Sequence, residues 1–235
     1  MPHTPASPPT GHFGQRLVDV IARRPSGLVG RWMYRDGPKA HEASFAAVLD
    51  ALGPPHGEHV LEIGCGPGVL LQRILAAGGT AAGLDHSPDM LALCMARNQE
   101  AVADERLQLK LGDAAEIPWA QESFTAAVAA NMFFFLYDPA KALRELHGVL
   151  TPGGRLVIAT VAGPLPAPSL RNWWLYPPMG PALNVHTDKQ MHAILTEAEF
   201  TDIDIHSDDG PLALQLAQAR KANSEQTAPL QDHGP

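Results

Sequence analysis

The chain has 235 residues, 45% of them hydrophobic, enough to bury a full core in a single domain. Its 17 basic residues stand against 25 acidic ones, a net charge of −8, which argues against a surface built to neutralise nucleic-acid phosphates. Cys65 and Cys94 make no disulfide framework, no charged-then-apolar leader opens the chain and no apolar run reaches membrane length, so a cytoplasmic protein without a membrane span is expected.

Residues 1–11 are proline-rich without an apolar face and are expected to be a disordered tail. From His12 the spacing of Phe13, Leu17, Val20 and Ile21 is helical, and Ala40 to Leu52 repeats it with Phe45, Val48, Leu49 and Leu52 before Gly53-Pro54-Pro55 stops it. Between them GLVGRWMYRDG gathers Trp32, Met33 and Tyr34 in a short space, followed by His41. These residues either touch a ligand or only fasten the helix to the core.

The stretch EHVLEIGCGPG, Glu58 to Gly68, carries the strongest signal. Val60, Leu61 and Ile63 read as a short buried strand that stops at Gly64, Gly66 and Gly68, where a chain stripped of side chains lets a ligand approach the backbone. Leu70, Leu71, Ile74 and Leu75 then fall at helical spacing, completing the strand, loop and helix order of a nucleotide site. A dinucleotide fingerprint needs a glycine three residues after its second one, and that position is Val69, so NAD fits poorly. Cys65 reads as a small loop filler rather than a nucleophile, because no histidine partner stands at a recognised spacing.

About twenty residues further on, the strand Thr80 to Leu84 ends in Asp85, where a carboxylate accepts hydrogen bonds from ribose hydroxyls. Ser87-Pro88-Asp89 opens a helix expected to run to about Val102, with Met90, Leu91, Cys94 and Met95 on its buried face. Leu107, Leu109 and Leu111 alternate in a strand ending at Gly112-Asp113, and the next strand, Phe124 to Ala130, runs to Asn131. Ligands on open sheets sit beyond the carboxyl ends of the strands, which makes Asn131 a candidate by position. Asp138-Pro139 caps a helix, and Thr151-Pro152-Gly153-Gly154 turns into the strand Arg155 to Thr160.

Regular patterning fails from Val161 to Val185, where prolines surround Trp173, Trp174 and Tyr176. Such an insert is a substrate-covering loop or, on an equal footing, a hydrophobic homodimer contact. Thr187-x-x-Gln190 makes a capping box, Ile203 with Ile205 and Leu212 with Leu214 and Leu216 alternate as two closing strands, and 221–235 is expected to be a second disordered tail. No histidine-carboxylate or paired cysteine spacing points to a metal.

Five blocks in order, VLEIGCGPG (60–68), GLDHSPDML (83–91), LGDAAEIPW (111–119), FTAAVAANMFFFL (124–136) and ELHGVLTPGGRLVIA (145–159), resemble the class I S-adenosylmethionine (SAM)-dependent methyltransferases, in the small-molecule branch related to the quinone methyltransferases. The resemblance implies an α/β fold, a Rossmann-like seven-stranded and mostly parallel sheet with a helical N-terminal lid. One methyltransferase domain then spans 12–220, with 12–52 the lid and 161–186 the insert over the substrate. It also implies SAM as cofactor and S-adenosylhomocysteine as product. Glu62, Gly64, Cys65, Gly66 and Gly68 would line its methionine part and Asp85 its ribose, while His86, Met90, Gly112, Asp113, Ala114 and Asn131 would lie toward the adenine and the rest of the crevice. Tyr34, Trp173, Trp174 and Tyr176 become substrate candidates, and His186 and His41 candidate bases. The acidic-or-Asn, Pro, Pro, aromatic signature of N-methyltransferases is replaced by Asn131-Met132-Phe133, which counts against nucleobase and protein-amide substrates. The expected function is methyl transfer to a small apolar or aromatic metabolite of bacterial secondary metabolism. The alternatives are a SAM-loaded rearrangement or cyclisation enzyme, and a SAM-binding regulatory or assembly subunit.

Overall fold

The computed structural model describes residues 41–164, 183–209 and 213–223. Seven strands form one sheet: β1 His59–Ile63, β2 Thr80–Asp85, β3 Leu107–Leu111, β4 Phe124–Ala130, β5 Leu150–Val161, β6 Phe200–Ser207 and β7 Leu214–Lys221. Their order is β3-β2-β1-β4-β5-β7-β6, with β7 antiparallel to both β5 and β6 and all other pairs parallel. The order of the strands reverses between the parallel neighbours β1 and β4, and there the carboxyl ends of the strands open a crevice.

Strands buried on both faces read as continuous apolar runs, and the helices divide the two faces between them. Helices α1 Glu42–Leu52, α2 Val69–Ala76, α3 Pro88–Arg97 and α4 Gln99–Ala103 contribute Phe45, Val48, Leu70, Leu71 and Cys94 to one core, beneath Val60, Ala126 and Val128. Helices α5 Pro139–Val149 and α6 Asp188–Glu197 give Leu143, Leu146, Met191 and Leu195 to the other, against Leu61, Ile63, Ala127 and Ile158. Leu61 and Val60 therefore face opposite ways, as the two-residue period of a strand demands. Among the described residues, no helix is long and apolar enough to cross a membrane.

Most expected caps are present. Ser87 Oγ accepts from Met90 N, Asp138 Oδ1 accepts from Lys141 N at 2.9 Å, and Thr187 with Gln190 closes a full capping box. Two expectations need revision. The helix expected from Ser87 to about Val102 is broken at Asn98, whose side chain turns back to donate to Cys94 O at 3.0 Å and to Gly68 O at 3.2 Å. The expected turn at Thr151–Gly154 is instead part of a long β5, which pairs with β4 at Leu150, passes a register shift and resumes at Arg155. Of the expected lid, only its end is described, and α1 is a core helix there, with Val48 fully buried. Residues 1–11, residues 12–40 of that segment, the insert from 165 to 182 and residues 224–235 lie outside the described residues, while Lys221, expected in the second tail, closes β7.

Asn98 is 5% exposed and joins the helix break to the end of the glycine loop. Replacing it by Ala removes both side-chain bonds, although Gly68 O keeps Gln72 N and Cys94 O keeps the Asn98 backbone N, a loss of about 1–3 kcal/mol for the two bonds together. We expect Asn98→Ala to lower the urea midpoint with little change in denaturant slope; an unchanged midpoint would mean that the two side-chain bonds add nothing to stability.

Candidate functional site

The loop between β1 and α2 is held by β2. Gly64 N and Cys65 N both donate to Leu84 O, at 2.7 and 3.1 Å, and Gly66 N donates to Asp85 Oδ2 at 2.8 Å. The other oxygen, Asp85 Oδ1, accepts from Ser87 N at 2.8 Å, and Asp85 O accepts from Gly112 N at 3.0 Å. One residue thus ties the ends of β1, β2 and β3 together.

Two glycines of the loop have no substitute. Gly64 has φ +65°, and a Cβ there would stand 2.7 Å from Met132 Cγ. Gly68 has φ +75°, with its missing Cβ only 2.3 Å from Cys94 Sγ. The loop can therefore lie flat, between Met132 on one side and Cys94 below.

A crevice of about 720 Å³, open mouth included, lies above these turns and is lined by Gly64, Leu84, Asp85, His86, Gly112, Asp113, Ala114, Ala115, Met132, Phe135, Leu136 and Tyr137. Six sequence candidates meet here: Gly64, Asp85, His86, Gly112, Asp113 and Ala114. Gly66, Gly68 and Cys65 belong to the loop but not to the lining. Glu62 and Met90, each 2% exposed, are packed behind it. Asn131, at φ +57°, turns aside: its Oδ1 accepts from Ser44 Oγ on α1 at 2.9 Å.

The opposite wall was missed. It comes from the turn after β4, where a 3-10 helix at Phe133–Phe135 throws Met132, Phe135, Leu136 and Tyr137 toward the crevice. Position beyond the carboxyl end of a central strand was the available signal, and the run FFFLY carried it. Asn184 pins this turn, donating from its backbone to Phe134 O at 2.8 Å and from Nδ2 to Leu136 O at 2.6 Å.

His186 follows two residues later. It forms a parallel bridge with Ala162, and its ring centroid lies 6.0 Å from that of Phe133. Burial lowers its pKa and so favours a neutral imidazole, opposed by a hydrogen bond from the ring to the Asn184 backbone. His41 stands at the N-terminus of α1, edge-on to Phe45 at 5.9 Å, with its pKa also lowered by burial. Neither histidine lines the crevice. Tyr34, Trp173, Trp174 and Tyr176 lie outside the described residues.

The chemistry of the lining suits the cofactor that the resemblance implies. Each Asp85 oxygen uses one lone pair on a backbone amide and keeps capacity for a ribose hydroxyl. Asp113 Oδ1 accepts from Ala115 N at 2.8 Å, which shapes a narrow turn at the other end of the crevice. Glu62 Oε2 is buried without a partner beneath the glycine loop.

Two carboxyls in so dry a place are costly. Burial raises the Glu62 pKa well above the usual carboxylate range, and the neighbouring Cys94 and Asp85 push the same way, against a backbone hydrogen bond from Leu71. Burial likewise raises Asp85, opposed by its bonds to the Ser87 and Gly66 amides and by His86. Folding therefore favours the protonated form of Glu62. Its contribution to stability is full below the unfolded pKa of about 4.3 and is lost as pH rises through the raised native value. We expect Glu62→Gln, which cannot ionise, to gain stability relative to the parent as pH rises through that window. Urea unfolding at a series of pH values measures it, and parallel profiles would mean that Glu62 is not desolvated.

Comparison with known proteins agrees with this geometry. Residues 61–158 match the family model described as a methyltransferase domain. The demethylmenaquinone methyltransferase of Clavibacter sepedonicus is 32% identical over 125 residues, covering 53% of this chain and 49% of that protein. The ubiquinone/menaquinone biosynthesis C-methyltransferase of Paracoccus denitrificans is 28% identical over 220 residues, covering 85% of this chain and 86% of the relative. Across three curated relatives, the chain spans from 33% to 64% of their length. Among solved structures, the [4+2]-cyclase SpnF superposes with a TM-score of 0.65 at 20% identity, covering 77% of this chain and 82% of that one, a likeness of fold. The glycine loop and the acidic strand end to which it is tied thus lie, on a sheet of this order, within the stretch 61–158 that matches a methyltransferase domain.

Proposed function

We propose that the chain transfers a methyl group from SAM to a small apolar or aromatic metabolite. The observation that carries this reading is the two-sided crevice. One lip is polar and carboxylate-bearing, formed by Asp85, Gly112 and Asp113; the other is an apolar wall of Met132, Phe135, Leu136 and Tyr137. The quinone-type acceptors named for the relatives are of the same general class.

When bound, SAM supplies an activated methyl group on a positively charged sulfur. The chain's own task is then mainly alignment and exclusion of water, and orientation alone contributes about 7–11 kcal/mol when the geometry is near attack. In this reading Asp85 holds the ribose hydroxyls, the Gly64–Gly68 loop takes the methionine part, and Gly112 to Ala114 with His86 bound the adenine side. Glu62, Cys65, Met90 and Asn131 act from behind, by holding the loop and the strand end in place. Met132 and Phe135 keep water from the reacting centre. A base is needed only if the acceptor carries a proton. His186 is the first choice, since burial keeps its ring neutral and able to accept one, and His41 is the second.

Asp85→Asn keeps the shape and removes the charge. Calorimetric titration with S-adenosylhomocysteine should show affinity reduced by about ten- to a hundredfold. Unfolding curves on the same variant control for the amides of Gly66 and Ser87, and unchanged affinity in a folded variant would remove Asp85 from the cofactor site. A screen of quinol, phenol and enol acceptors, read by the mass increment of one methylene, tests the transfer itself. Tight binding of the cofactor with no increment across the screen would favour a SAM-loaded enzyme that does not consume its methyl group.

A further inference from the structure

Among the described residues, three polar side-chain atoms near the carboxyl end of β5 and the amino end of β7 are buried without a hydrogen-bond partner: Thr160 Oγ1, His186 Nδ1 and Gln215 Oε1. They belong to one place. Thr160 and Gln215 are directly opposite in the antiparallel β5–β7 ladder, so their side chains share a face of the sheet. The bridge from Ala162 to His186 brings the third residue alongside, and Gln215 Nε2 donates to His186 O at 3.2 Å.

The orientation of the Gln215 amide is fixed by its surroundings. Its NH₂ group donates to His186 O and, at 2.6 Å, to Asp188 Oδ1; turned over, it would set oxygen against two oxygens. Oε1 is therefore an acceptor with nothing to accept. Gln215 is 0% exposed and Thr160 3%, so bulk water does not serve them. Each such group costs about 1–3 kcal/mol relative to an apolar residue of the same shape. A valine at 160 would avoid that cost, so the pattern suits a site that is completed by a ligand.

The chemistry of the three atoms narrows what they would take. Gln215 Oε1 needs a donor, Thr160 Oγ1 can donate or accept, and a neutral imidazole offers either role. None of the three is cationic, and Asp188 stands on the far side of the Gln215 amide, so a carboxylate or phosphate would meet an unpaired oxygen and no counter-charge. A hydroxyl both donates and accepts. Phe133, whose ring centroid is 6.0 Å from that of His186, directly follows Met132 of the apolar crevice wall in the chain.

We propose that Thr160, Gln215 and His186 form a subsite for a neutral hydroxyl of the methyl acceptor, of phenol or alcohol type, an inference that rests on the methyltransferase reading. An ordered water presents the same donor and acceptor, and the test separates the two. Protein loaded with S-adenosylhomocysteine and labelled at threonine methyl groups and histidine rings is titrated with phenol and, separately, with benzoate, by NMR. Phenol should move the Thr160 methyl and His186 ring signals and benzoate should not. Thr160→Val should weaken phenol binding by about tenfold while keeping or raising the urea midpoint, and Thr160→Ser should restore binding. Equal shifts from benzoate, or phenol affinity unchanged in Thr160→Val, would overturn the proposal. So would signals unmoved by phenol, which would leave the three atoms to a buried water. Calorimetry on the same samples keeps the two readings apart: cofactor bound with phenol silent removes only the subsite, whereas no cofactor binding removes the methyltransferase reading and the subsite with it.

Discussion

The carboxylate of Asp85 is the point on which the site depends. Its two oxygens accept from Gly66 N and Ser87 N, and its carbonyl accepts from Gly112 N, so the glycine loop, the start of α3 and the end of β3 are all referred to one residue. A carboxylate bound by backbone amides makes stronger hydrogen bonds than a neutral group would. It also sets the direction of what remains, since the lone pairs not used by the backbone are those left for the crevice. The same residue thus organises the loop and presents the acceptor oxygens that a ribose requires.

This arrangement is bought against stability. Glu62 lies fully inside the α1–α3 face of the sheet beside Cys94, and Asp85 is nearly as deep, so both carboxyls are pushed toward their protonated forms by burial. Apolar residues at these positions would give a drier and more stable core. Strained and desolvated groups concentrate at functional sites because the surrounding structure over-determines them. Here the surroundings are specific: Leu84 O holds two loop amides, Asn98 holds Gly68 O, and Gly64 leaves room only for Met132.

How much of this could be read beforehand follows from the range of the interactions. The cofactor half rests on local signals. A strand that ends in glycines, a strand that ends in Asp85 and a strand that ends in Gly112-Asp113 are each visible within ten residues, and a doubly wound sheet brings such ends together. The acceptor half is built from contacts across the chain, such as Asn184 to Leu136 and Gln215 to His186, which no local pattern encodes. Asn131 shows the limit of reasoning by position. It is at the carboxyl end of a central strand, yet its left-handed backbone and its bond to Ser44 turn it toward α1. The single helix expected from Ser87 fails for a similar reason, because Asn98 is a neutral surface residue to a periodicity argument and a buried clamp in the fold.

The two cysteines acquire a use from where they lie. Cys65 is in the loop itself and Cys94 directly under Gly68, both buried and neither in a disulfide. A thiol reagent reaches them only when the loop lifts from α3. The speed of their modification therefore counts how often that lifting occurs, and protection on adding the nucleoside would report a loop held shut, without turnover having to be measured at all.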